Sequence, residues 1–218
     1  MAERILAGVT ADTFKHLQLG VGAIIRDFEY EDIKTATEFK AAFLQAIKDG
    51  QSFGGTQGGI NIEIVPTYRK IEIDGANVPF KGDSVIDSWL CQMSATLKEF
   101  TPEIMQAAFP TSEFIEVGDE GSGIVAQRIK TAVSDEDYHK NHTWVATTKY
   151  GYIMVAMFNA LGGTTGAITA ADKAEGNIPF QTHGTIEDFE DIDYAPCEIW
   201  YVDITGGIIT PAQVGQAG

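Results

Sequence analysis

The sequence predicts a mainly β fold, an antiparallel β-sandwich or barrel with one flanking α-helix and a short second helix. Three observations lead to this class: segments in which apolar and polar residues alternate, 23 glycines that suit frequent turns, and no regular alternation of strands and helices. With 218 residues, of which 44% are hydrophobic, the chain has enough apolar side chains for one sizeable core. We expect one β domain over residues 1–205, followed by an extended C-terminal arm over residues 206–218.

Residues 35–50 carry the signals of an amphipathic helix. Thr35 and Glu38 have the spacing of a capping box, and Gly50 is placed to end the helix. A Gly-rich connection follows, so we expect residues 35–59 to form an insertion of helix and loop in the β domain. The apolar stripe of the helix consists of Phe39, Ala42, Phe43, Ala46 and Ile47.

Residues 101–110 predict the second, shorter helix. Thr101 suits the N-cap and Pro102 the first helical position, where its missing N–H has no intrahelical partner to lose. Pro110 marks the end of this helix.

The other segments alternate in the manner of strands. Residues 60–64 and 71–73 do so before a turn at Asp74–Gly75, and residues 85–97 form an unusually long strand. On the long strand, one face is predicted to carry Trp89, Cys91, Met93, Ala95 and Leu97. A hairpin is predicted around Tyr150–Gly151. Further strand segments are predicted at residues 124–133, 143–149, 152–158, 167–172, 178–184 and 197–205.

The charge balance is strongly acidic, with 31 Asp and Glu against 15 Lys and Arg, a net charge of −16. A surface of this sign repels a polyanion, which argues against a protein that reads nucleic acid. Solubility is the simplest role for the charge, and passage of a nucleic acid without binding is the alternative. No apolar run approaches a membrane span, and the N-terminus carries no signal-peptide pattern.

Two cysteines, Cys91 and Cys197, stand far apart in apolar runs. We expect buried free thiols in a reducing compartment, and a disulfide is the alternative.

Four motifs in the sequence are candidates for chemical sites. The Gly-rich stretch 54–59 has no Lys after it and precedes a strand, which favours a loop over a phosphate cradle. His139 and His142 have metal-ligand spacing, but their polar surroundings favour a connection between strands. The acidic run Glu187, Asp188, Glu190, Asp191 and Asp193 lacks the offsets of a calcium loop. No recognisable triad frame surrounds Ser84, Ser88, Ser94, Asp83 and Asp87, so we expect no catalytic, cofactor or metal site.

Residues 65–103 resemble the core of bacteriophage major tail proteins, also called tail tube proteins. In that family a strand of pattern Tyr/Thr-Arg-x-Ile-Glu-Val/Ile-Asp-Gly leads to a Gly turn. A long strand with Asp-Ser-Trp and a Leu-x-Glu-x-Thr-Pro ending follow. Residues 13–30 and 178–203 are similar to the N-terminal and closing portions of the family, in collinear order. The matching residues in the core are Tyr68, Arg69, Ile71, Glu72, Asp74, Gly75, Gly82, Asp87, Ser88, Trp89, Leu97, Glu99, Thr101 and Pro102.

The resemblance implies a non-enzymatic virion protein whose copies form hexameric rings, stacked into the tail tube. Long strands of neighbouring subunits would join into an inner β-lining, and viral DNA would pass through the lumen without specific binding. The implied partners are copies of the chain itself, the tape-measure protein, and the tail tip and terminator proteins. The implied location is the virion tail, assembled in the bacterial host cytoplasm, with no cofactor and no membrane.

Three regions are candidates for assembly contacts. The Gly-rich loop from Gly50 to Gly59 and the turn from Asp74 to Gly82 are predicted to mediate ring-to-ring contact. The strand with Trp89 is predicted to line or brace the tube wall, with Trp89 itself in the core. The candidate residues are Gly54, Gly55, Thr56, Gln57, Gly58, Gly59, Asp74, Gly75, Lys81, Gly82 and Trp89.

Two rival functions remain open from the residues alone. A β-sandwich that binds carbohydrate or another ligand would use Trp144, Tyr150 and Tyr152 as stacking platforms. A metal-dependent hydrolase would use His139 and His142 with nearby acids.

Overall fold

The computed structural model describes residues 17–72, 74, 78, 80–119, 121–163, 168–171, 174–187 and 193–204. The mainly β class is confirmed: the strands pair antiparallel into a sandwich-like sheet that is not closed into a barrel. The predicted arm over residues 206–218 lies outside the described residues. The strands are β1 (Ala23–Arg26), β2 (Thr56–Lys70), β3 (Ser84–Leu97), β4 (Ser112–Glu116), β5 (Val125–Ile129), β6 (His139–Thr147), β7 (Gly151–Gly162), β8 (Thr169–Ala171), β9 (Ala174–His183) and β10 (Cys197–Asp203).

Both predicted helices are confirmed by their caps. Helix α1 spans Ala36–Lys48, and the capping box is formed: Thr35 Oγ1 accepts the Glu38 N–H at 3.2 Å, while the Glu38 carboxylate accepts the Thr35 N–H at 3.0 Å. Helix α2 spans Pro102–Ala108, with the Thr101 hydroxyl accepting an N–H of its first turn. These caps place both helix starts where the sequence predicts them.

A central sheet runs in the order β1–β6–β7–β10 and is covered on both faces. Alternate residues of its strands belong to different hydrophobic clusters. Trp144, Ala146, Val155 and Met157 point to one cluster, and Val145, Met154 and Ala156 to the other. Burial on both faces explains the nearly continuous apolar run of β7, which a sheet with one solvated face would not show.

An outer sheet, β2–β3–β9, packs over the first face of the central sheet, and β8 pairs with β9 at its edge. The cluster between the two sheets contains Cys91, Met93 and Leu97 from β3, together with residues of α2. The second cluster lies between the central sheet and α1, where Phe39 meets Phe28 and Tyr152. The layers are therefore α1, central sheet and outer sheet.

Strand β7 joins the two sheets. Most of it pairs with β6 and β10, but its last residues, Leu161 and Gly162, pair with β9 of the outer sheet. Asn159, just before this change of partner, has φ +42°, a conformation that Asn tolerates better than most residues. Its backbone carbonyl accepts the Thr185 hydroxyl at 2.8 Å, which holds the bend in place.

Two strands are found that the sequence analysis did not predict. β1 is only four residues long, and β4 pairs with β5 in a two-stranded hairpin apart from the main sheet. β2 ends at Lys70, so Ile71 lies beyond the strand, and Ile73 is outside the described residues. Within the part of the chain that the structure describes, no helix has the length and apolar character needed to cross a membrane.

Candidate assembly surface

The far end of the β2–β3 hairpin extends beyond the body of the protein. β9 pairs with β3 only from Gln92 to Leu97, whereas β2 pairs with β3 along its whole length. Among the residues that the structure describes, the sheet is thus two strands wide from Val65 to Lys70 and from Ser84 to Leu90, and we call this part the distal ribbon. Six residues of strand span about 20 Å.

The distal ribbon and its tip expose apolar side chains on both faces. Val65 pairs with Leu90 and Pro66 with Trp89, and adjacent pairs in a ladder point to opposite faces. Nearer the body, the face that carries Trp89 also carries Cys91 and is covered by the central sheet. The exposed apolar side chains here are Val65, Tyr68, Ile71, Val78, Phe80, Val85, Ile86, Trp89 and Leu90.

Polar contacts brace the ribbon internally. Arg69 Nε donates to the Asp87 carboxylate at 3.0 Å, across the two strands. At the tip, the Ile71 N–H donates to the Asp83 carbonyl at 2.7 Å, and an Asp83 carboxylate oxygen accepts the Phe80 N–H at 3.2 Å. These hydrogen bonds join residues within the ribbon and its tip. They do not cover the apolar side chains, which stay exposed and available for contact with another protein.

The prediction that Trp89 lies in the core is wrong. Trp89 is 40% exposed, although Cys91, Met93 and Leu97, which share its predicted face of the strand, are buried. The periodicity of the strand correctly places Trp89 on the same face as Cys91. The central sheet, which covers this face at Cys91, ends before Trp89. Trp89 therefore belongs to the exposed surface of the distal ribbon.

The Gly-rich stretch lies at the other end of β2 and is only partly a loop. The Gly55 N–H donates to Glu99 Oε1 at 2.8 Å, and a side chain at Gly54 would overlap the Glu99 carboxylate. Thr56, Gln57, Gly58 and Gly59 belong to β2, with a register shift between Gln57 and Ile60. The two glycines adopt φ values of +81° and +95° at this bulge.

The turn residues lie at the tip of the distal ribbon. Asp74, Lys81 and Gly82 are exposed there, and Gly75 lies outside the described residues. The structure thus brings the tip and Trp89 together on one projection. It separates the tip from the start of β2 by roughly 45 Å for fourteen residue steps, and it separates Trp89, which pairs with Pro66, by roughly 33 Å for ten steps. The assembly role of each group remains a prediction.

A second exposed apolar surface was missed from the sequence. The β4–β5 hairpin exposes Phe114, Val117, Ile124, Val125 and Ile129. The signal was present in the β-favouring apolar residues Phe114, Ile115 and Val117, followed by the glycines at positions 118, 121 and 123.

His139 and His142 lie on β6 and not in a polar connection, which corrects that interpretation. Their ring centroids are 4.8 Å apart, and His139 Nδ1 lies 2.9 Å from an Asp27 carboxylate oxygen. Burial raises the pKa of Asp27, but the hydrogen bond and charge of His139 outweigh it, so that the pKa lies below its usual value. In the described residues, no group of three or more side chains is arranged to hold a metal ion.

His142 is fully buried between the rings of Phe53 and Phe180. The Thr182 hydroxyl donates to the Leu161 carbonyl at 3.2 Å, so it accepts from His142 Nδ1 at 2.7 Å. This fixes the proton on Nδ1 and leaves Nε2 as a buried acceptor with no hydrogen-bond partner among the described residues. Burial lowers the pKa of His142 well below its usual value, which makes it a neutral core residue.

Two of the three aromatic side chains predicted as stacking platforms pack inside the protein. Trp144 is 8% exposed and its indole N–H donates to the Val21 carbonyl, so its faces are not available for stacking on a sugar. Tyr152 packs against Phe39 in the second cluster. Of the acidic run, Asp188, Glu190 and Asp191 lie outside the described residues.

No family model matches the chain, and no curated protein matches it.

Proposed function

We propose that the chain is a structural subunit of a bacteriophage tail tube. Copies of it would assemble into stacked, hexameric rings around a channel that conducts DNA during genome ejection. The observation that supports this most strongly is the distal ribbon, a two-stranded projection with apolar side chains exposed on both faces. Contiguous exposed apolar surface of this kind marks protein–protein contact sites.

The ribbon gains stability from a neighbour. A two-stranded hairpin alone is marginally stable in water. Burying the rest of a half-exposed apolar side chain contributes about 1 kcal/mol, so the nine of the ribbon and tip contribute about 9 kcal/mol in all. This is of the same order as the cost of bringing two proteins together. A single contact between two subunits is therefore weak. A closed ring is favoured over an isolated pair, because every subunit in the ring makes two such contacts.

The open edges of the ribbon favour another copy of the same chain as the partner. Within the described residues, β2 pairs with β3 alone, and β3 has no partner but β2 from Ser84 to Leu90. Such edges accept a further strand through backbone hydrogen bonds. Contacts between two different surfaces of one protein close into rings or extend into filaments.

The acidity and the family resemblance support the same proposal. The ribbon, its tip and the N-cap residue Thr101 of α2 fall within residues 65–103, the segment that resembles the core of tail tube proteins. A net charge of −16 would keep DNA from adhering to the channel wall. In this proposal the protein resides in the virion tail and is assembled in the host cytoplasm with tape-measure, tip and terminator proteins.

Electron microscopy of concentrated purified protein tests the proposal. We expect rings or tubes for the native chain, and loss of both for Leu90→Asp and for Trp89→Ser, which act on opposite faces of the ribbon. Leu44→Asp on α1 is the matched control, because Leu44 is 46% exposed and Leu90 is 44% exposed. The control should assemble normally.

All variants should melt within a few degrees of the native chain, since exposed positions change stability by only about 0.5 kcal/mol. Normal tubes from both ribbon variants would remove the ribbon from the assembly. A native chain that stays monomeric at high concentration in every salt condition would contradict the proposed function.

A further inference from the structure

The two cysteines of the chain face each other across the two sheets. Cys91 lies on β3 of the outer sheet and Cys197 on β10 of the central sheet. Their Sγ atoms are 3.1 Å apart, and the Cys91 thiol donates to Cys197 Sγ. Both are free thiols, as predicted, but only Cys91 is buried, and the predicted burial of Cys197 is wrong. A disulfide has an S–S distance of about 2.05 Å, so the sulfurs need to approach by only about 1 Å.

The two thiols differ in access. Cys91 is 2% exposed and belongs to the cluster between the sheets. Cys197 is partly exposed and lines an open cavity of about 490 Å³, whose wall also includes Phe158, Thr185 and Glu198. A small molecule that enters the cavity thus meets Cys197 first, with Cys91 directly behind it.

We propose that Cys91 and Cys197 are an oxidisable dithiol, a modification site that takes a small-molecule disulfide as its oxidant and becomes a covalent bridge between the two sheets. The proposal is independent of tube assembly, because it rests only on the geometry within one subunit.

The reaction proceeds by two thiol–disulfide exchanges. The Cys197 thiolate attacks one sulfur of the oxidant, forming a mixed disulfide and releasing one thiolate. The Cys91 thiolate then attacks Cys197 Sγ and expels the second thiolate, which completes the protein disulfide. Two protein thiols are oxidised and one small disulfide is reduced to two thiols, which take up the two protons.

The order of attack follows from the environment of each sulfur. Burial and the hydrogen bond to Cys197 raise the pKa of Cys91 to about 12. Burial raises the pKa of Cys197 as well, but the hydrogen bond from Cys91 opposes this rise. Since the thiolate is the nucleophile, oxidation should be slow at neutral pH and speed up about tenfold for each pH unit below the thiol pKa.

The test uses the folded native chain and oxidised glutathione. After incubation at mildly alkaline pH, the sample is acidified, unfolded and treated with N-ethylmaleimide, and its intact mass is measured. We expect a monomer lighter by two hydrogen atoms that takes up no maleimide. Its melting temperature should rise by roughly 5–15 °C and return on reduction, as for a bridge that closes a long loop.

Two single variants separate the steps. Cys91→Ser should hold a stable glutathione adduct at Cys197, because no second thiol can displace it. Cys197→Ser should stay unmodified at Cys91. The proposal is overturned if both thiols of the oxidised native chain still react with maleimide, if a glutathione adduct persists on the native chain, or if a disulfide-linked dimer forms instead.

Discussion

Mild acid should destabilise the fold through His142. Its ring is fully buried, and protonation would place a charged N–H on Nε2, where no acceptor lies within the described structure. The titratable and charged groups that face it are His139 on the same strand, Asp27, and Arg26 at the end of β1. Burial dominates, and the pKa of His142 lies well below the usual 6.5.

The sign and size of the effect follow from linkage. A group with a lowered folded-state pKa binds its proton more readily in the unfolded chain, so stability falls as pH falls through the unfolded pKa of about 6.5. From pH 7.5 to 5.0 the loss is about 2 kcal/mol if His142 stays neutral in the folded protein. A domain of this size should then melt about 4–8 °C lower. Asp27, whose pKa is lowered, contributes with the same sign but mainly at more acidic pH.

Urea unfolding at pH 7.5, 6.5, 5.5 and 5.0 measures this loss directly. His142→Phe keeps an aromatic ring against Phe53 and Phe180 and removes the titrating nitrogen, so its free energy of unfolding should change little over the same range. His183→Phe is the control, and should keep the dependence because His142 is still present. Equal stability of the native chain at pH 7.5 and 5.0, or an unchanged slope in His142→Phe, would show that His142 is not the group responsible.

Two further predictions concern local backbone chemistry. Thr35→Ala removes the N-cap of α1 and should lower the free energy of unfolding, measured with urea, by about 1 kcal/mol. The control Thr37→Ala changes an exposed residue within the same helix and should not lower it. Equal losses for the two variants would mean that the cap contributes nothing. Gly54→Ala should cost about 2–4 kcal/mol, since it adds strain at φ +73° and displaces the Glu99 carboxylate from the Gly55 N–H. Gly58 has a similar φ of +81° but open space around it, so Gly58→Ala should lower the free energy of unfolding by only about 1–2 kcal/mol. Equal losses for the two glycine variants would contradict a role for Glu99.

Local signals predicted much of the fold. The caps at Thr35 and Thr101 are read from residues within one turn of each other, so no tertiary information is needed. The long alternation of β3 and the hairpin at Tyr150–Gly151 are local in the same sense. β1 escaped prediction because four apolar or basic residues, paired with β6, show too little pattern by themselves.

The candidate surface depends on information that the sequence does not carry locally. Periodicity places Trp89 on the face shared with Cys91, but whether that face is covered depends on how far the central sheet extends, and Cys91 is buried whereas Trp89 is exposed. Likewise, the contact between Cys91 and Cys197 joins residues 106 positions apart. His142 looked like a polar loop residue because its neighbours on β6 are polar, whereas its burial depends on Phe53 and Phe180 from distant segments.

The shared strand β7 has a consequence for how the protein unfolds. One face of its central-sheet portion packs toward α1, the other toward the outer sheet, and its last residues are hydrogen-bonded to β9. Neither hydrophobic cluster can open without breaking contacts made by this strand. The two layers of core are thus coupled through a single backbone segment, and the domain should lose its structure as one cooperative unit and not sheet by sheet.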